Sequence, residues 1–189
     1  MPPLFVCIRH GEALHNVANR IHGPIAYTFK ENEDAPLSEE GHRQTIQAGL
    51  ELAEIFKERQ VDVYSSPLTR CIQTADNASA HLNVQQKTLE ELLIERLGGG
   101  HVCNNRKSFD ELSMKYREWN TEYIHDPPPM PLEREPLDQV RERMRQMWNW
   151  LEETYRTSEK GILVVSHQES LTALWSRNFK NAEYLVISQ

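Results

Sequence analysis

The sequence predicts an α/β protein: a three-layer α/β/α sandwich around a mostly parallel central sheet. Segments 4–8, 61–64 and 162–165 read as short strands, the first buried on both faces because polar and apolar residues do not alternate along it. Helical patterns of crossover length separate these segments, and such connections return a strand parallel to its predecessor. Ligands of open parallel sheets gather beyond the carboxyl ends of strands. There the chain puts Arg9 and His10, then Ser65 and Ser66 with nearby Arg70, and then His167.

The elements follow in order. The first strand runs into Arg9-His10-Gly11, and the polar, proline-broken segment 23–36 reads as a surface loop. Ser38 is a helix N-cap, with Glu39 and Glu40 in the first turn, where the helix dipole favours acids. Ile46, Gly49, Leu50, Ala53 and Phe56 recur at helical spacing and are expected to face inward. The second strand delivers Ser65, Ser66 and Pro67. Pro67 is expected in the first turn of the next helix, one turn before Arg70. Cys71 is expected to turn away from its neighbour and pack. Residues 89–93 read as helix or strand, ended by Gly98, Gly99 and Gly100.

A helix over 108–122 opens on a capping box of Ser108 and Glu111, and the proline-rich 125–136 is a loop. Val140, Met144, Met147, Trp148 and Leu151 are the core stripe of a long helix from about Leu137, which Gly161 is expected to end. The third strand leads to Ser166 and His167. A helix through Trp175 and a short strand at 184–187 complete the chain.

A length of 189 residues suits a single domain, 1–189, and 39% apolar residues suffice for a core. The formal charge of -7 argues against non-specific nucleic-acid binding but not against a small phosphorylated substrate held by a few focused arginines. Cys7, Cys71 and Cys103 are odd in number and far apart, which predicts neither a disulfide framework nor a zinc cluster. With no run of membrane-spanning length, a cytoplasmic protein is expected.

Five blocks carry a resemblance: RHGEALHN, DAPLSEEGHRQT, SSPLTRCIQTA, IERLGG and SHQESL. In this order they resemble the motifs of the histidine phosphatase superfamily, also called phosphoglycerate mutase-like, over nearly the whole chain. The resemblance implies the phosphoglycerate mutase-like fold and a His10 nucleophile that is transiently phosphorylated. Arg9 and Arg70 would clamp the phosphoryl oxygens, and His167 would stabilise developing negative charge. Asn16 matches the family asparagine, a neutral phosphate donor. Glu90, Glu91 and Glu95 compete for the proton-donor role, and matching ERLGG to the family's acidic segment favours Glu95. Arg106 is a candidate for recognising a second anion on the substrate, or else belongs to a solvated loop. No cofactor or metal is expected, since the acidic residues are not spaced as a metal cage.

Ala13 stands where the family often has serine or threonine, and Gln168 where it usually has glycine. The reading is a metal-independent phosphatase acting on a phosphate monoester. A phosphoglycerate-type mutase and a non-enzymatic phosphate-binding module are the alternatives, and the compact middle segment leans toward hydrolysis.

Overall fold

In the computed structural model, residues 1–127 and 129–188 are described; Pro128, within the loop read at 125–136, lies outside the described residues. Among these residues six strands form one sheet: β1 (Leu4–Arg9), β2 (Gln60–Ser65), β3 (Asn83–Glu90), β4 (Asn120–Tyr123), β5 (Gly161–Ser166) and β6 (Tyr184–Ser188). Their order is β4-β3-β2-β5-β1-β6. All neighbours run parallel except β6, which is antiparallel to β1. The three strands legible as apolar runs are therefore adjacent, with β5 between β1 and β2. Arg9 pairs with Ser166, and Ser65 with Val165, so the three carboxyl ends are nearly level.

Among the described residues six α-helices accompany the sheet: α1 (Leu14–His22), α2 (Glu39–Phe56), α3 (Thr69–Ser79), α4 (Phe109–Lys115), α5 (Leu137–Tyr155) and α6 (Gln168–Trp175). Alternation along each strand sends side chains to opposite faces. Val6, Val63 and Leu163 pack with Leu52 and Phe56 of α2 and Ile72 of α3. Phe5, Cys7 and Ile162 pack on the other face with Val140, Met144 and Leu151 of α5 and Leu171 of α6. Each fully buried large aliphatic side chain of this kind contributes about 1.5–3 kcal/mol of transfer free energy. The result is the expected α/β/α sandwich.

Several local expectations are corrected. Ile46 and Leu50 are each 47% exposed; α2 buries Gly41, Thr45, Ala48, Gly49, Leu52 and Phe56 instead. The inward face uses small residues because neighbouring backbones come close. A Cβ on Gly49 would lie 2.9 Å from the Asn77 carbonyl oxygen. Pro67 precedes α3, whose N-cap is Leu68 and whose first residue is Thr69. The expected helix over 108–122 stops at Lys115, and β4 follows. Residues 89–93 divide between the end of β3 and a short 3-10 turn, Glu91–Leu93. Gly161 opens β5 rather than closing α5; a Cβ there would meet the Phe56 ring at 2.4 Å. Ser38 does cap α2, accepting from the Gly41 N–H at 3.0 Å, and the Ser108–Glu111 capping box is present.

Candidate active site

The loop leaving β1 is locked against three other elements. His10 N–H donates to the Ser166 carbonyl at 3.0 Å, and Gly11 N–H donates to Thr74 Oγ1 at 3.1 Å. A Cβ on Gly11 would approach Thr45 Cγ2 at 2.6 Å and the Gly41 carbonyl oxygen at 2.7 Å, so only glycine fits this crossing. Glu12 steadies the next residue pair, accepting from Ser38 Oγ at 2.7 Å. Asp34 caps the amino end of α3 from a distant loop, accepting from Thr69 N–H at 2.8 Å and Thr69 Oγ1 at 2.7 Å. That cap orients the first turn, which carries Arg70.

These constraints bring Arg9, His10, Asn16, Arg70 and Glu95 to the wall of one cavity of about 320 Å³ at the carboxyl ends of the strands. Arg70 is 1% exposed. It donates from Nη1 to the Cys103 carbonyl at 2.8 Å and from Nη2 to Asn104 Oδ1 at 2.9 Å. Arg9, partly buried, donates from Nη1 to the Phe179 carbonyl at 2.7 Å. The Nε–H of each guanidinium is buried without a partner. Among the described residues, neither has a carboxylate within salt-bridge distance. Two adjacent cations lacking a counter-ion in a low-dielectric site strongly favour a bound anion.

Hydrogen bonds fix which imidazole nitrogens carry protons. His10 Nδ1 lies 2.7 Å from the Gly11 carbonyl, which only accepts, so Nδ1 is the donor and Nε2 keeps the free lone pair. Burial, then the charges of Arg70 and Arg9, hold the His10 pKa well below the ordinary 6.5, so the ring is neutral. His167 stacks edge-on against it, with ring centroids 5.1 Å apart. His167 is fully buried behind His10, with Nε2 2.8 Å from Ser66 Oγ, and burial followed by Arg70 pushes its pKa down too. The unliganded site thus holds a neutral His167, able to donate only its single N–H.

Glu95 sits where α6 begins. Its Oε1 accepts from Arg96 N–H at 2.9 Å and Ser170 N–H at 3.3 Å, and its Oε2 from Glu169 N–H at 3.3 Å. Burial raises its pKa, Arg96 N–H opposes that shift, and the charge of Glu169 adds to it. A carboxyl whose proton affinity is raised by burial, beside a lone imidazole nitrogen and two guanidiniums, can protonate a departing oxygen.

Two sequence expectations are overturned here. Arg106 does not reach the cavity. Its guanidinium is paired with Glu91 at 2.7 Å and also donates to the carbonyls of Lys107, at 2.7 Å, and His125. A cation so engaged braces the loop. Cys71 is buried as packing, but it does not turn away from the site: its Sγ lies 3.4 Å from His167 Nε2. Burial raises its thiol pKa, which keeps it protonated.

Three rings meet beside His10, and of these sequence reading missed His15. His15, on α1, lies 5.9 Å from His10 and 5.8 Å from Tyr27, and Tyr27 lies 5.1 Å from His101. The tautomer of His15 follows from its neighbour. Asn16 Oδ1 accepts from Ala13 N–H at 3.0 Å, which turns Nδ2 to within 3.1 Å of His15 Nε2. Since Nδ2 only donates, Nε2 accepts, and His15 Nδ1–H is a buried donor without a partner. The only available signal was its place just before the motif asparagine.

A larger cavity, about 770 Å³, opens at the amino ends of the strands beside Leu4, Ile55 and Gln60. Two of its cations are engaged, Lys160 with Asp62 at 2.8 Å and Arg59 with the carbonyls of Pro2 and Glu159 at 2.8 and 2.6 Å. Size alone does not make it the site. Among the described residues, no group of three or more His, Cys, Asp or Glu side chains is placed to hold a metal ion, and no helix is long and apolar enough to cross a membrane.

The sheet order and this motif geometry agree with comparison to known proteins. Residues 5–183 match the model of the histidine phosphatase superfamily, branch 1, and the chain belongs to that superfamily. It is accordingly an enzyme of the histidine phosphatase type. A 2,3-bisphosphoglycerate-dependent phosphoglycerate mutase of Tropheryma whipplei is 29% identical over 187 residues, covering 89% of this chain and 80% of the mutase. The ecdysone phosphate phosphatase from Bombix mori, solved with tungstate, has a TM-score of 0.66 at 16% identity, covering 99% of this chain and 89% of its own. A mycobacterial glucosyl-3-phosphoglycerate phosphatase solved with VO3 has a TM-score of 0.62 at 20% identity, with coverage of 98% and 90%. At those identities the two structures establish the shared fold.

Proposed function

We propose that this chain is a metal-independent phosphatase that hydrolyses a small phosphate monoester through a phosphohistidine at His10. The observation that carries the reading is the pair of guanidiniums without a carboxylate partner, flanking an imidazole whose Nε2 is unprotonated. Arg9 and Arg70 hold the phosphoryl oxygens with the donors left free by their backbone and amide contacts. The His10 Nε2 lone pair forms a bond to phosphorus while the bond from phosphorus to the ester oxygen breaks. Glu95 delivers its proton to that oxygen, and the alcohol leaves. Water then attacks phosphorus, the Glu95 carboxylate takes its proton, and the N–P bond returns its electrons to His10. Asn16 acts as a neutral donor to the phosphoryl group as charge builds on it, and His167, packed edge-on behind His10, holds that ring in place. The residues 1–189 work as one catalytic domain, a reading supported by the family match and the single sheet.

A mutase is the second reading, favoured by the 29% identical relative. The phosphoenzyme would then be passed to a second phosphorylated acceptor instead of water. Incubation with 3-phosphoglycerate and with a sugar monophosphate, followed by product analysis, separates the two. Hydrolysis predicts stoichiometric free phosphate with no 2-phosphoglycerate; isomerisation without phosphate release contradicts it.

A further inference from the structure

We propose that the alcohol part of the substrate is an uncharged ring, so that the site takes monophosphates of a sugar or aryl alcohol and discriminates against esters carrying a second anion. This rests on the phosphatase reading and adds the substrate class. The first support is the distribution of charge. Beyond Arg9 and Arg70, Arg134 is the arginine on the cavity wall among the described residues, and it is paired with Glu169, which also pairs with Arg96 at 3.2 Å. Glu169 is itself on the cavity wall. A second anion on the ester would have to displace Glu169 from Arg134 and then lie beside the displaced carboxylate. Like charges at such distances repel strongly in a partly dry site.

The second support is the wall between the phosphoryl cradle and the rim. His15, Tyr27 and His101 form a run of rings, with successive centroids 5.8 and 5.1 Å apart. Burial lowers the pKa of His15 strongly and that of His101 less, with Arg134 adding to the latter, so both imidazoles are neutral at pH 7. They offer faces and single donors instead of charge. His15 Nδ1–H is unpartnered and buried, which suits a hydroxyl or ring oxygen of the substrate, because a buried donor left unmatched is costly. Gln168, which stands where the family usually has glycine, adds a neutral amide to the wall.

The test uses matched esters with the full-length protein. Phenyl phosphate is compared with 4-carboxyphenyl phosphate, fructose 6-phosphate with fructose 1,6-bisphosphate, and glucose 6-phosphate with glycerol 3-phosphate. The uncharged or ring-bearing member is expected to lead in kcat/KM, by at least about tenfold in the two charge pairs. Glu169→Gln frees Arg134 and should shrink the two charge ratios by at least about threefold. Tyr27→Leu should remove the glucose-over-glycerol preference while leaving the charge ratios in place. Calorimetric binding of the same esters to His10→Asn protein reads the same ratios without turnover. Equal or better use of the doubly charged esters, or charge ratios that Glu169→Gln does not move, overturns the inference. Ratios that persist in binding while no ester is hydrolysed overturn the phosphatase reading alone.

Discussion

Replacing Arg70 with methionine removes one of the two guanidiniums on which phosphate binding rests, while keeping an unbranched side chain of similar length. Of the five N–H donors of the guanidinium, two are engaged by the Cys103 carbonyl and Asn104 Oδ1. That leaves three, including the unpartnered Nε–H. A fork presenting two of these to phosphate oxygens makes two charge-assisted bonds of about 1.5–3 kcal/mol each, or about 3–6 kcal/mol together. The Coulomb term for one unit charge at about 4 Å with an effective dielectric of about 20 is about 4 kcal/mol, within that range. Binding of an oxyanion such as vanadate should therefore weaken by at least about a hundredfold. The assay is thermal unfolding with vanadate. At about 100 times the wild-type Kd, binding stabilises the wild type by about 2.7 kcal/mol, a rise in Tm of about 5–10 °C for a chain of this size. At the same concentration the variant should rise by about 1–2 °C. The unliganded Tm is the folding control, since losing a buried unpaired charge and orphaning two acceptors act in opposite directions. A Tm rise in Arg70→Met equal to that of the wild type would refute the cradle.

The pH profile of kcat/KM should be a bell with an acid limb set by His10 and an alkaline limb set by Glu95. Activity appears as pH rises through the lowered His10 pKa, below 6.5, and is lost as pH rises through the Glu95 pKa, raised above 4.5. Glu95→Gln should erase the alkaline limb, keep the acid limb and slow the reaction by about 10²–10⁴; an unaltered profile would contradict the assignment. Arg106→Met should leave kcat/KM within about twofold, yet lower stability by about 1–3 kcal/mol by unpairing Glu91, as read by urea unfolding. Gly41→Ala should destabilise by at least about 2 kcal/mol in thermal melts, because the added Cβ would lie 1.9 Å from the Glu12 carbonyl oxygen.

What the sequence made legible follows from burial. β1, β2 and β5 are central and covered on both faces, so they appear as short apolar runs, broken in β2 by Asp62, whose buried carboxylate is paired with Lys160 and accepts from Tyr155. β3, NVQQKTLE, is largely exposed over its first half, and β4, NTEY, is a polar edge strand, so neither has such a run. α1 was invisible for a different reason: Ala13 at its N-cap supplies no side-chain acceptor, and the helix follows the His10 loop after only three residues, Gly11 to Ala13. Arg9, His10, Arg70 and His167 were readable because each lies at or just beyond a strand end whose position is set by local pattern. His15, Tyr27 and His101 sit on a short helix and irregular loops, and only tertiary packing brings them together. The Arg106 assignment failed because its partner, Glu91, lies on a turn whose approach no local pattern encodes.

Rapid mixing with a 32P-labelled monoester, an acid-free quench and peptide mapping tests the central claim most directly. Label that reaches His10 within the first turnover, decays at the rate of phosphate release, and is absent from the His10→Asn protein is the predicted result. Steady phosphate release with no label on His10 at any time would contradict a covalent role for that imidazole.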